Sequence, residues 1–247
     1  MKVAIVTAAS RGIGEGCARA LARAGWSLVL MSRSDANSHL AKELGGIAVK
    51  GDVTETKDLE KVVKTALDKH GRIDGVVNNT GHGPRVMRDS MRFSYSPDST
   101  AELLEIGDDE WHHGVDMYIL NVVRMARLVT PVMLKQGKGA IVNISSMAAF
   151  QPRAAYPLSV LRTTTQGFVK LYSDKYGKHG IRMNNLSPGW MENVENVVDA
   201  DRRAVPMARA GTMAEIGATA AFLLSDDAGY ITGQDILADG GMNRALV

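Results

Sequence analysis

Cysteine is nearly absent from this chain: Cys17 is the single thiol in 247 residues. One thiol excludes an internal disulfide and fits a reducing compartment. A large charge of either sign is also missing. Lys and Arg total 29 and Asp and Glu 27, a net of +2, too little to argue for nucleic acid or an anionic membrane as the main partner. Long apolar runs are wanting too. The N-terminus is apolar for only about seven residues before Ser10 and Arg11, and a glycine turn follows where a signal peptide would carry a small-residue cleavage site. The longest later run, residues 218–224, falls far short of the ~20 residues that span a bilayer. Aromatic residues make up 5% of the chain, against 45% hydrophobic and 23% charged. That balance is globular and excludes disorder, collagen-like repeats and coiled coil. A soluble cytoplasmic protein is expected, with no nucleic-acid partner, no membrane and no metal-ligand set.

What is abundant is glycine, 25 residues, or about 10% against a usual ~7%. Short β-branched and aliphatic runs at 3–7, 27–31, 47–49, 73–78, 140–144, 181–186 and 235–238 look like strands buried on both faces, as in a parallel sheet. Helical spacing fills the intervals. Residues 14–24 are closed by Gly25, and 57–70, with Leu59, Val62, Val63, Ala66 and Leu67 on one stripe, stop at Gly71. Residues 108–134, 157–176 and 212–224 also read as helices, the last opened by Thr212 with Glu215 three residues on, a capping box. Alternation of strand and helix predicts βαβ units and one α/β domain over 1–247. The expected fold is a Rossmann-type doubly wound parallel sheet of about seven strands with helices on both faces. Two long connections, 81–107 and 189–207, follow strand carboxyl ends, where open α/β sheets bind ligands, and are expected over the substrate side.

Thr7-Ala8-Ala9-Ser10-Arg11-Gly12-Ile13-Gly14 lies between the first strand and the first helix. Glycines there let the backbone approach a pyrophosphate, and a helix N-terminus offers N–H groups and partial positive charge. The segment resembles the nucleotide loop of short-chain dehydrogenase/reductases, usually Thr-Gly-x-x-x-Gly-Ile-Gly, with Ala8 in place of the first glycine. Further landmarks run in order along nearly the whole chain. Asp52-Val53 resembles the family's adenine contact, and Asn78-Asn79-Thr80-Gly81 its Asn-Asn-Ala-Gly. Asn121 falls in the long helix where the family has a structural and proton-relay asparagine. Ser145-Ser146 resembles the strand end bearing the catalytic serine, and Pro188-Gly189 the nicotinamide-side Pro-Gly. The resemblance implies a nucleotide site built from Thr7, Ser10, Arg11, Gly12, Ile13, Gly14, Asp52, Val53, Asn79, Thr80, Gly81, Pro188 and Gly189.

The second strand ends Ser32-Arg33-Ser34. NAD-preferring relatives place an acid at the position of Ser32 to accept from the ribose 2′-hydroxyl. A carboxylate would repel a 2′-phosphate, whereas serine followed by arginine binds one, with Arg11 as a second positive charge. Ser32, Arg33 and Ser34 are therefore expected to select NADP(H).

The family's chemistry, as the resemblance implies, uses Ser, Tyr and Lys, the last two four apart so that they share one helix face. Here residues 155–162 read Ala-Tyr-Pro-Leu-Ser-Val-Leu-Arg. Counted from Tyr156, the lysine position holds Val160. Counted back from Gly167-Phe168, which keeps the family's spacing to Asn184, the tyrosine position holds Leu158 and the lysine position Arg162. Either register loses half of the pair. Arginine preserves ribose hydrogen bonds and a positive field, but with a pKa above ~12 it releases no proton, and leucine is no acid. Another donor is required. Tyr156 is nearest, set before the helix by Pro157 at the first helical position. Ser145, Ser146, Tyr118, His82, His112 and His113 are further candidates. The expected catalytic set is Ser146, Tyr156, Arg162 and Asn121, with Arg162 also on the cofactor, and Ser145 exchanging with Ser146 by one residue of register.

Met87, Met91 and Met191 lie in the two long loops and suit an adaptable apolar pocket. The tail 233–247 resembles the segment through which family members pair, and Leu237, Met242, Leu246 and Val247 add apolar area there. A homotetramer is expected, with a dimer as fallback. The functional expectation is an NADP(H)-dependent oxidoreductase acting on a small carbonyl or secondary alcohol. A nucleotide-binding sensor or assembly subunit without the chemistry is the alternative.

Overall fold

Along β1 (Val3–Val6), Val3 and Ile5 pack on one side while Ala4 and Val6 pack on the other, the two-residue period of a strand buried on both faces. The structure, a computed structural model, describes residues 1–80, 104, 106–152, 157–193 and 205–245. Within it every expected strand is present: β2 (Ser27–Ser32), β3 (Ile47–Lys50), β4 (Gly75–Asn78), β5 (Gly139–Ile144), β6 (Ile181–Pro188) and β7 (Asp235–Ala238) join β1. They form one parallel seven-stranded sheet in the order β3-β2-β1-β4-β5-β6-β7.

Helices cover both faces. On one, α3 (Thr56–His70), α5 (Asn121–Gln136) and α6 (Thr163–Tyr176) bury Leu59, Val62, Met125, Val129, Met133 and Val169 against the sheet. On the other, α1 (Gly12–Arg23), α2 (Asn37–Glu43) and α7 (Met213–Leu224) contribute Cys17, Leu21, Leu40, Ile216, Ala220 and Leu223. Helices α1 and α7 approach closely enough that a Cβ on Gly217 would fall 2.2 Å from the Gly16 carbonyl oxygen. The capping box of Thr212 and Glu215 is formed as the sequence predicts, and Gly71 ends α3 in the left-handed region.

Three differences from the sequence expectation have physical causes. Helix α2 arises in a polar stretch with little apolar periodicity. It is anchored by buried Asn37, whose amide donates to the carbonyls of Leu30 at 2.7 Å and Val49 at 3.3 Å. The expected helix over 157–176 divides into a 3₁₀ helix, Pro157–Arg162, and then α6. The expected helix from residue 108 is α4 (Asp108–Val115), a π-helical segment Asp116–Leu120, and α5, one after another. By length and composition this 29-residue run is apolar enough to cross a membrane. Counting only consecutive apolar residues misses it, because its polar positions are interspersed. Met125, Val129 and Met133 lie fully buried on the sheet, the pattern of a core helix.

Across the second half of the sheet runs a row of polar side chains. Asn78, Asn143, Asn185 and Asp235 are register partners on β4, β5, β6 and β7. Each amide donates to the next residue, at 2.9, 3.0 and 3.1 Å. The strand order reverses between β1 and β4, so the crevice beyond their carboxyl ends is where a ligand is accommodated.

Candidate functional site

Thr7 and Asn79 close the floor of that crevice. The Thr7 hydroxyl donates to the Asn79 carbonyl at 2.7 Å and accepts from the Asn79 N–H at 2.9 Å, and the Asn79 amide donates to the Ala8 carbonyl at 3.2 Å. Helix α1 begins at Gly12, whose φ is +61°, after extended Arg11, which gives no side-chain cap. The first-turn N–H groups are thus left for an anion. A Cβ on Gly14 would lie 2.3 Å from the Ala8 oxygen and 2.7 Å from the Asn79 amide nitrogen, so this turn accepts only glycine there. Ala8 itself has a φ of +46°, a left-handed conformation that costs a residue with a Cβ roughly 1–2 kcal/mol. Half-buried Ser10 and Ile13 complete the loop.

At the end of β2 the Ser32 hydroxyl is buried and donates to the Ser34 carbonyl at 2.6 Å, whereas Arg33, Ser34 and Arg11 are exposed. After β3, Asp52 accepts from the Thr54 N–H and hydroxyl, both at 2.9 Å, and Val53 is buried beside it. Beyond β6, a Cβ on Gly189 would fall 2.7 Å from Asp239, so Pro188-Gly189 passes tightly along the tail. A loop with no room for a Cβ and an uncapped helix start fit the pyrophosphate of a dinucleotide.

The other half of the crevice is narrower. A cavity of ≈ 10 Å³ lies among Asn78, Thr80, Tyr118, Asn121, Ser145 and Arg162, close to the room one water needs. Arg162, the last residue of the 3₁₀ helix, is 7% exposed. Its Nη1 donates to the Ile144 carbonyl at 3.0 Å, and its Cζ sits 4.3 Å above the Tyr118 ring. Burial pulls its pKa down, partly opposed by interaction with the Tyr118 hydroxyl. Asn121, which lines the cavity, donates to the Met117 carbonyl and keeps a buried Oδ1 with no partner among the described residues; Ser145 Oγ is likewise buried without one.

The structure therefore brings together Asn121, Arg162, Thr80 and Ser145, with Tyr118 added. Ser146, the next residue, points elsewhere: its Oγ accepts from the Ala148 N–H at 3.2 Å and caps a 3₁₀ turn. Successive residues leaving a strand face opposite ways, so one residue of register decides which serine meets the cavity. Tyr118 stood among the sequence candidates, but its partnership with Arg162 spans 44 positions (162 − 118) and has no local signal. His112 and His113 are exposed on α4. Tyr156, Gly81, His82, Met87, Met91, Leu246 and Val247 lie outside the described residues.

Two expectations are corrected. Met191 is buried in the core with its backbone bridged to Gly211, not lining a loop pocket. Met242 is covered by its own chain, packed with Met147 and Val205 and against Trp190 and Leu237, so it adds no exposed apolar area. Cys17 is fully buried in α1, and burial pushes its thiol up to about 12.

A doubly wound parallel sheet with a glycine turn at the β1–α1 junction defines a dinucleotide-binding α/β protein. The family described as enoyl-(acyl carrier protein) reductase matches residues 7–243. Oxidoreductase UcpA of Salmonella typhimurium is 34% identical over 263 residues, covering 97% of this chain and 94% of that protein. The 3-oxoacyl-[acyl-carrier-protein] reductase of Synechocystis is 33% identical, with 98% and 96% covered. The structure of TT0495 protein from Thermus thermophilus superimposes with a TM-score of 0.84 at 27% identity, over 98% of this chain and 99% of that one. The chain belongs to the short-chain dehydrogenase/reductase family, oxidoreductases that use nicotinamide cofactors.

Proposed function

We propose that this protein exchanges hydride between NADP(H) and a small carbonyl or secondary-alcohol substrate. The observation that carries the reading is the β2 end, where no acid stands and Arg33 and Arg11 are exposed beside the Gly12–Gly14 turn. Bound NADPH supplies the hydride. The chain's own groups divide the remaining work. Thr7, Ser10 and the N–H groups of Gly12, Ile13 and Gly14 receive the pyrophosphate, while Ser32, Arg33, Ser34 and Arg11 take the 2′-phosphate. Asp52 and Val53 border the adenine. Asn79, Thr80, Gly81, Pro188 and Gly189 frame the nicotinamide side, with Arg162, Asn121 and the serines about the reacting oxygen.

Titrating NADPH and NADH by nucleotide fluorescence, then screening NADPH oxidation against a carbonyl panel, tests this reading. Tighter NADPH binding with turnover is expected; equal affinities would sink the cofactor assignment. The second reading, a nucleotide-binding sensor or assembly subunit, is favoured by the burial of Arg162 and by Leu158, which has no hydroxyl. Tight NADPH binding without oxidation of any carbonyl would establish it. We also propose a cytoplasmic homo-oligomer, a tetramer. Half-buried β7 is an edge strand, which supports addition of a second copy there. A monomer mass in light scattering at micromolar concentration would disprove the assembly.

A further inference from the structure

The cavity between the ends of β4 and β5 and the π segment holds a buried cation, Arg162, that faces no anion among the described residues. Among the described residues no carboxylate pairs with Arg162; its contacts are the Ile144 carbonyl and Tyr118. Taking a charge out of water is costly unless something of opposite sign faces it, and among the described residues what faces the guanidinium is the electron-rich face of the Tyr118 ring, 4.3 Å from Cζ. Asp116, two residues earlier, is committed elsewhere, to Arg124 at 2.6 Å.

Tyr118 is placed for chemistry as well as for pairing. It is the third of the five π-helical residues Asp116–Leu120, and such interruptions of a helix occur often at functional sites. With Thr80, Asn121 and Ser145 it lines the cavity at the strand ends. Two polar atoms there, Asn121 Oδ1 and Ser145 Oγ, are buried and unpartnered, so a ligand oxygen would meet a hydroxyl donor already in position.

We propose that Tyr118 is the proton donor of this site, with Arg162 as the fixed cation behind it; the inference rests on the NADP(H) reading and deepens it. In the reducing direction the Tyr118 O–H bond breaks and its proton passes to the carbonyl oxygen. The carbonyl carbon takes the hydride supplied by NADPH. The products are the alcohol, NADP⁺ and a Tyr118 phenolate, which Arg162 holds until a solvent proton restores the hydroxyl. Ser145 donates to the same substrate oxygen. Leu158 needs no function in this scheme.

Tyr118→Phe keeps the ring over Arg162 and removes only the hydroxyl, so it separates proton transfer from packing. With a carbonyl found in the panel, kcat should fall by about 10²–10⁴, while the NADPH dissociation constant and thermal midpoint stay near those of the wild type. Tyr156→Phe, at the competing donor, should lower kcat far less than Tyr118→Phe does. Should Tyr118→Phe lose stability, a fluorinated tyrosine at position 118, a stronger acid of nearly the same shape, should move the basic limb of the kcat/KM profile to lower pH. Undiminished kcat in Tyr118→Phe, an unmoved limb, or loss of activity in Tyr156→Phe alone would overturn the assignment and leave the cofactor reading intact. Wild-type protein that binds NADPH and reduces nothing would overturn both.

Discussion

At the nucleotide end of the crevice, around Thr7, Gly14 and Asn79, the constraints are largely those of backbone: a carbonyl where a Cβ would go, an uncapped helix start, two strand ends tied by N–H and C=O groups. At the other end, around Tyr118, Ser145 and Arg162, they are those of side chains: a stacked cation, a phenol and orphaned hydroxyl and amide oxygens. The first kind of site tolerates few substitutions, because nothing but glycine fits at Gly14. The second admits replacement so long as charge and proton inventory are kept, since a hydroxyl can be delivered from another element. Two ends of one ligand edge are thus constrained by different physics.

The sharpest way to break the contrast is Gly14→Ala. The added methyl meets the Ala8 carbonyl at 2.3 Å, and overpacking of this kind costs about 1–3 kcal/mol. Loss of stability in urea denaturation and loss of NADPH binding are expected together; a normal variant would show the loop to be adaptable after all. Arg33→Ala should be felt in the cofactor alone. NADPH affinity should drop by about 1–3 kcal/mol, the scale of hydrogen bonds to one charged group, with NADH unchanged in the same fluorescence titration. Ala8→Gly relieves the left-handed Cβ and should stabilise the fold by about 0.5–1 kcal/mol, the strain less the added backbone entropy of glycine. A lower urea midpoint would contradict the strained assignment.

The smallest effect lies in the pH dependence. Burial raises the Asp235 carboxyl, opposed by hydrogen bonds from Ser187, Asn185 and Gln166. With its native value above its unfolded one, the folded state holds the proton more tightly. Its contribution therefore favours folding below the ordinary carboxylate value and is lost as pH rises from there through the raised native value. Asp235→Asn should flatten that part of the stability–pH curve in urea midpoints measured from about pH 3 upward. An unaltered slope would mean that the burial is relieved in solution.

How far the sequence could be read follows the same division. Strands, the glycine turn, the capping box at Thr212 and the order of landmarks are local patterns, and each was legible because periodicity and turn chemistry are written in neighbouring residues. Helix α2 was not, since its anchor Asn37 acts through carbonyls of two strands. At the site, Arg162 and Asn121 could be picked out by position. The pairing of Arg162 with Tyr118 depends on how a π segment and a 3₁₀ helix rotate their side chains, and the choice of Ser145 to face the cavity depends on the residue at which β5 ends; no spacing rule records either. Met242 misled for a related reason: an apolar residue near a chain end reads as exposed until its cover, Val205 and Met147, is seen.

The row of Asn78, Asn143, Asn185 and Asp235 bears on how the chain finds its alignment. Valine and isoleucine pair almost equally well two residues out of step, so an aliphatic parallel sheet specifies its own offsets poorly. A slip of one residue would turn an asparagine to the opposite face, and a slip of two would strand it among aliphatic groups. Each displaced amide forfeits a buried hydrogen bond, at roughly 1–3 kcal/mol. Because the middle two residues serve a neighbour on either side, one misplacement leaves groups unsatisfied on three strands. The polar row thus acts as a key cut across β4 to β7, admitting a single offset for all four and penalising the near-misses that the surrounding core would accept.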